Sequence, residues 1–229
     1  MGEVSDLVDS GAPEGTVVVA EEQTAGRGRV GRTWESAPSA GLWLSILLRP
    51  PYEPVMLGWL PLLAGTAVGR ALRTETSLDL RLKWPNDVVV EASGGLAKVG
   101  GILAERLPDG AVIVGIGINV DHGVNELPAG GTSLRLLGST VPRERLLVAL
   151  LGEFAAMYRA WLTGNDPSAG YLPLCVTLGS LVRVEAANGS LTGTASRLGP
   201  HGELIVTAAD GVEHLVSAGD VLLVRPAAG

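Results

Sequence analysis

Cysteine, phenylalanine and net positive charge are what this 229-residue sequence has least of. A single cysteine, Cys175, excludes an internal disulfide framework and any cysteine-cluster metal site. Its apolar neighbours Leu174 and Val176 predict a thiol buried on a strand rather than a reactive one. With one Phe, three Tyr and five Trp, the core has to be packed with Leu, Val, Ile and Ala. The formal charge of −7 leaves no overall basic field for gripping nucleic acid, and nothing in the chain resembles a helix-turn-helix, so no DNA partner is expected. The acidic, polar N-terminus shows no signal peptide. The most apolar stretch, Val55 to Val68, is shorter than the ~20 residues that span a bilayer and contains Pro61. A cytoplasmic protein with no membrane partner is the expectation.

Against those absences stands a sizeable hydrophobic content: 46% of residues, with only 18% charged, which excludes a wholly disordered chain. Residues 16–20 (TVVVA) predict a buried strand, and 42–48 (LWLSILL) a second one closed by Pro50-Pro51. Pro54 fits the first turn of a helix running to about Thr74, with Pro61 predicting a kink or a late start. Residues 78–84 and 87–90 read as strands around Pro85-Asn86, and 97–106 with 111–120 as a hairpin turning at Pro108-Asp109-Gly110. From Pro142 to about Thr163, Leu146, Leu147, Leu150, Phe154, Met157, Tyr158 and Trp161 recur at helical spacing; a stripe of this kind is core packing. After Tyr171-Leu172-Pro173 the texture changes to short apolar runs (LVRVEA, GTASRL, ELIVTA, HLVSA, VLLVR) separated by turns such as Asn188-Gly189 and Asp210-Gly211. That pattern predicts a small β-barrel behind a boundary near residue 173.

Four segments carry chemistry. In Gln23 to Trp34, Arg27, Arg29 and Arg32 alternate with Gly26, Gly28 and Gly31 in an otherwise acidic protein. Glycine lets backbone N–H groups approach an anion, and arginine supplies planar charged donors for carboxylate or phosphate. A solvated loop or an RGG-like RNA segment shares that composition. Lys83-Trp84-Pro85-Asn86-Asp87 sets a lysine, an amide and a carboxylate at a strand break, where they could handle phosphate, magnesium and an amine, or simply form a charged turn. In Lys98 to Glu105, Lys98 precedes Gly100 and Gly101 within a strand suited to burial; a solvent-facing edge lysine is the plain alternative. Gly115-Ile-Gly117-Ile-Asn119 lacks the third glycine and the following helix of a dinucleotide fingerprint.

In this order and at these separations, GRGRxGRxW, KWPND, KxGGIL and GxGxN together resemble the signature segments of the biotin protein ligase family. The resemblance covers nearly the whole chain. It implies an α/β (α+β) fold, with a catalytic domain similar to the class II aminoacyl-tRNA synthetase core, built on a mixed sheet over residues 1–172. A Src-homology-3-like barrel would follow over 173–229. The implied reaction joins biotin to ATP, with Mg2+, as biotinyl-5′-AMP, then passes biotin to one lysine of a biotin carboxyl carrier domain.

Carried over by position, Gln23 contacts biotin, while Gly26, Arg27, Gly28, Arg29 and Arg32 belong to the loop over biotin and adenylate. Trp34 stacks on adenine, and Lys83 and Asn86 belong to the adenylate site. Lys98 holds the carbonyl and phosphate region. Gly100, Gly101, Gly115 and Gly117 allow close approach, Asn119 meets the adenine end, and Asp87 serves magnesium or the incoming lysine. Arg29, Lys98 and Asp87 form the implied catalytic set. The family's Ser-Thr-Asn segment, which binds the ureido ring, has no counterpart here; counting back from Gln23, Met1 falls at about its place. On that count the 229-residue chain is expected to bind biotin poorly. Alternatives are a lipoate-type ligase, or a non-catalytic biotin- or adenylate-binding remnant. Monomer or weak homodimer is the expected assembly.

Overall fold

A computed structural model of the chain describes residues 4, 7–8, 10–24, 26–28, 38–186, 189–217 and 219–224. Six strands, β1 (Val17–Ala20), β2 (Gly41–Leu48), β3 (Arg81–Lys83), β4 (Asp87–Ala92), β5 (Gly95–Arg106) and β6 (Val112–Asn119), form one sheet in the order β1-β2-β6-β5-β4-β3. Every pairing between them is antiparallel. The expected mixed sheet is therefore corrected to an antiparallel one. The chain from β3 to β6 runs as three successive hairpins, each reversing direction. The helical crossover from β2 to β3 does bring the chain back in the same direction, but three strands are slotted between those two.

That crossover is a 3₁₀ turn, Pro54–Gly58, leading into α1 (Trp59–Thr76). Pro61 sits in the first turn of α1, where a missing N–H breaks no helical bond, so of the two sequence readings the late start holds. By length and composition the stretch Pro54–Thr76 is long and apolar enough to cross a membrane. Here it is a core helix: Trp59, Leu60, Leu62, Leu63, Ala64, Ala67, Val68, Ala71 and Leu72 are all buried between the sheet and α2 (Arg143–Leu162). From α2 the stripe Leu146, Leu150, Phe154, Tyr158 and Trp161 is buried, as core packing requires.

Strand alternation divides the sheet into two faces. Leu42, Leu44, Ile46 and Leu48 of β2, with Val112, Val114, Ile116 and Ile118 of β6, join the core under the helices. The opposite parity puts Trp43, Ser45 and Leu47, and Ile113, Gly115, Gly117 and Asn119, on the face away from α1 and α2. One end of that face is closed by a second cluster of Val4, Leu47, Ala111 and Ile113. The TVVVA run differs from expectation. Strand β1 lies at the sheet edge and Val19 is 46% exposed, because an apolar run reports strand propensity but not the number of neighbours.

A second antiparallel sheet contains β7 (Leu181–Ala186), β8 (Gly189–Leu198), β9 (Leu204–Thr207), β10 (Glu213–Val216) and β11 (Asp220–Leu223), ordered β10-β9-β8-β7-β11. Its turn between β8 and β9 docks on the first sheet's machinery. The Trp59 indole donates to the Pro200 carbonyl at 2.9 Å, and the Trp84 indole to the Gly202 carbonyl at 2.9 Å. Gly58 has to be glycine there, since a Cβ would lie 2.4 Å from the His201 carbonyl oxygen. Cys175 is another correction: it is only half-buried and follows the 3₁₀ turn Leu172–Leu174, touching β3 through an isolated bridge to Leu82.

Candidate active site

Register brings the conspicuous residues to the face away from α1 and α2. Trp43 pairs with Gly117, Gly117 with Gly101, and Gly101 with Asp87, so these four stand in one row across β2, β6, β5 and β4. In the next row, Ser45 pairs with Gly115 and Gly115 with Leu103. Gly101, Gly115 and Gly117 are half-exposed, whereas the intervening Ile102, Ile116 and Ile118 are buried. The result is a sheet floor of bare backbone beside the fully buried indole of Trp43. That ring lies along β2 over Gly41, where any Cβ would meet it at 2.1–2.6 Å.

On the other side stands an ion pair. A register shift between Val88 and Val89 carries Lys98 of β5 to the same face as Asp87 of β4, and Lys98 Nζ lies 2.5 Å from Asp87 Oδ1. Both side chains retain part of their exposure, so an incoming anion can reach the ammonium and compete with the carboxylate. Arg27 adds a second cation above β5, its guanidinium 3.3 Å from Glu105. Among the described residues no group of three or more His, Cys, Asp or Glu side chains could hold a metal ion. The donor set fits magnesium only where substrate phosphates supply most of the oxygens and Asp87 one, which is how this ion is commonly bound.

Several residues singled out in the sequence act here as framework. The Asn119 amide donates to the carbonyls of Thr132 (3.0 Å) and Lys98 (3.4 Å). Backbone bonds from Lys98 to Gly130 and from Thr132 to Lys98 complete that seam, so Asn119 fixes the loop at 130–134 beside Lys98 of β5. The Asn86 amide donates to the Ile102 carbonyl at 3.0 Å, and Ile102 N–H donates back to the Asn86 carbonyl at 2.9 Å. Gly100 is buried, and a Cβ there would lie 2.6 Å from the Gly117 carbonyl oxygen. Its glycine is required by the approach of two strands. Lys83 is half-buried on β3, opposite Asp87. Gln23, Gly26 and Gly28 are half-buried and Arg27 is exposed. Arg29, Arg32 and Trp34 lie outside the described residues.

Sequence reasoning missed Trp43, Glu105 and the 130–134 loop. It also missed the role of Trp84, whose backbone N–H donates to Thr177 Oγ1 at 2.8 Å while its indole reaches Gly202. Only Trp43 carried a local signal, the strict alternation of β2. His122, beside Trp43 with ring centroids 5.7 Å apart, is buried, and its imidazole pKa is lowered from the ordinary value, by burial above all.

Cations held over a floor of glycine backbone can bring two anionic groups together. The pattern of the Biotin/lipoate A/B protein ligase family matches residues 5–122, and the chain belongs to that family. It is 40% identical over 219 residues to the biotin--[acetyl-CoA-carboxylase] ligase of Mycobacterium tuberculosis, covering 93% of this chain and 80% of that one. It is 32% identical over 225 residues to the bifunctional ligase/repressor BirA of Bacillus subtilis, covering 93% of this chain and 68% of the relative. Among solved structures, the biotin protein ligase of Aquifex aeolicus in complex with biotin and ATP matches with a TM-score of 0.79 at 32% identity, covering 94% of this chain and 91% of that one.

Proposed function

We propose that the chain ligates biotin to a lysine of a biotin carboxyl carrier domain, using ATP. The observation that carries this reading is the Lys98–Asp87 pair at the rim of the glycine floor, with Arg27 above the same strand. In the first step a biotin carboxylate oxygen attacks the α-phosphorus of ATP. The bond to the bridging oxygen breaks and pyrophosphate leaves, giving biotinyl-5′-AMP. Two anions must meet, so fixed positive charge is the main requirement. Lys98 supplies it once the substrate displaces Asp87, and Arg27 and Arg29 supply more. Magnesium, when bound with the triphosphate, offsets its charge.

In the second step the carrier ε-amine attacks the acyl carbon, the C–O bond to phosphate breaks, and AMP leaves with the electron pair. An amine of ordinary pKa ~10.4 must first lose a proton. Asp87, freed from Lys98 by the bound adenylate, accepts it. Gln23 contacts biotin, while Gly26, Gly28, Arg32 and Trp34 serve the loop and the adenine. Gly101, Gly115 and Gly117 let the ligand lie against backbone, Asn119, Asn86 and Gly100 hold the frame, and Lys83 belongs to the adenylate site.

Residues 1–172 are taken as the catalytic domain, related to the class II aminoacyl-tRNA synthetase core; an antiparallel sheet with α1 and α2 packed together on one face supports this. Residues 173–229 are taken as a Src-homology-3-like barrel, supported by five short strands joined through tight turns. A cytoplasmic enzyme acting as a monomer or weak dimer, without DNA or membrane partners, completes the reading. Incubating the chain with ATP, magnesium and an apo carrier domain, with either biotin or lipoate, tests it. Mass added to the carrier lysine by biotin and not by lipoate is expected; lipoyl transfer, or none, would overturn it.

A further inference from the structure

The chain leaves the sheet after β1 at Glu21 and returns to β2 through Ser39, Ala40 and Gly41. These two feet, on either side of the segment that begins with Gln23 and Arg27, are fastened to each other. Ser39 N–H donates to the Glu21 carbonyl at 2.9 Å, and Ser39 Oγ donates to Glu21 Oε2 at 3.2 Å. Ser39 is held at φ 57°, a left-handed conformation that a non-glycine residue keeps only when its surroundings impose it. The Ala40 carbonyl accepts from the N–H groups of Val120 and Asp121, which ties the returning foot to the end of β6 just beyond Asn119.

One residue from another element clasps both feet. Arg143 Nη1 donates to Glu21 Oε2 at 2.9 Å and to the Gly41 carbonyl at 3.2 Å. Arg143 is the first residue of α2, with Pro142 as its N-cap. A cation there opposes the helix dipole, whereas Glu144 in the same turn agrees with it. A residue that works against its own helix is expected where it serves something else. The guanidinium is the better-buried partner, its side chain 24% exposed against 71% for Glu21. The hydrogen bond from Arg143, followed by that from Ser39, lowers the Glu21 pKa and keeps the carboxylate charged.

We propose that Arg143 and Glu21 are positioning residues that set where the nearby Gln23 stands. The pair touches neither substrate and acts through the fastened feet. The proposal rests on the biotin ligase reading, and biotin is the substrate it bears on. Losing the pair should weaken biotin binding while leaving ATP binding and global stability in place, because a part-exposed ion pair adds little to folding.

The test compares the full chain with Arg143→Gln, Glu21→Gln, the double variant and Arg143→Lys. Biotin Kd by calorimetry, KM for biotin and for ATP, and Tm are measured for each. Each Gln variant should raise biotin Kd and KM about two- to five-fold, the scale of such a pair, with ATP KM and Tm unchanged. The double variant should be no worse than the worse single, and Arg143→Lys should recover part of the loss. Unchanged biotin KM, additive losses, or equal damage to both KM values and Tm would overturn the staple while the functional reading stands. A wild-type chain that binds no biotin would overturn that reading, and the staple with it.

Discussion

Gly100→Ala tests whether the glycines of the site are set by strand packing or by ligand. The added Cβ would lie 2.6 Å from the Gly117 carbonyl oxygen and 3.5 Å from Ile118 Cα, both backbone atoms of β6. A relaxed carbon–oxygen contact is about 3.3 Å, so β5 and β6 would have to part by about 0.7 Å. No side chain can swing away to absorb that. Overpacking of this kind costs about 1–3 kcal/mol, which for a chain of this size lowers Tm by about 2–12 °C. Because Lys98 lies two residues away on the same strand, adenylate formation should fall as well. Gly65→Ala in α1 is the control: its Cβ would meet Leu82 at 3.6 Å, an ordinary contact. Exchanging a helical glycine there should be neutral or raise stability by up to about 1 kcal/mol. Differential scanning calorimetry of both variants decides the matter. A Gly100→Ala protein melting with the wild type would refute the argument from strand approach.

Lys98→Met should lower biotin-dependent pyrophosphate exchange by about 10²–10³-fold, as removal of one group stabilising developing charge does elsewhere; exchange within two-fold of wild type would exclude Lys98 from the first step. Trp84→Phe strands the buried Gly202 carbonyl that its indole satisfies at 2.9 Å, so urea unfolding should show a loss of about 1–3 kcal/mol. An unchanged midpoint would mean the bond between the two sheets is dispensable. His122, its pKa lowered by burial from an ordinary 6.5, takes a proton more readily when unfolded than folded. Stability should therefore be full above about pH 6.5 and fall as pH drops toward the lower folded pKa. His122→Phe should flatten that slope in urea titrations between pH 7.5 and 5; an equal slope in both would reject the assignment.

What was legible in the sequence was local. The α2 stripe and the β5–β6 hairpin each follow from residues within one element or one turn, and Pro61 offered a late start or a kink, of which the first holds. What escaped depended on pairing between distant segments. Strand direction across the first sheet follows from hairpins filling the gap between β2 and β3, which no window of sequence contains. For the same reason TVVVA read as a buried strand, although it lies at the edge. The site divides the same way. The segments around Lys83 and Lys98 stood out as chemistry, yet the meeting of Lys98 with Asp87 depends on a register shift at Val88/Val89. Asn119, Asn86 and Gly100 were legible as special positions, but their hydrogen bonds and close contacts show them serving the frame. Arg143 and Glu21, 122 positions apart, carried no local mark.

The central claim is that this sheet face joins biotin's carboxylate to the α-phosphate of ATP. Exchange of labelled pyrophosphate into ATP, with and without biotin, measures that step alone and needs no carrier protein. The account predicts exchange that depends on biotin and magnesium and that fails in Lys98→Met. A folded wild-type chain that exchanges no pyrophosphate when biotin is added, or exchanges it equally without biotin, would contradict the account.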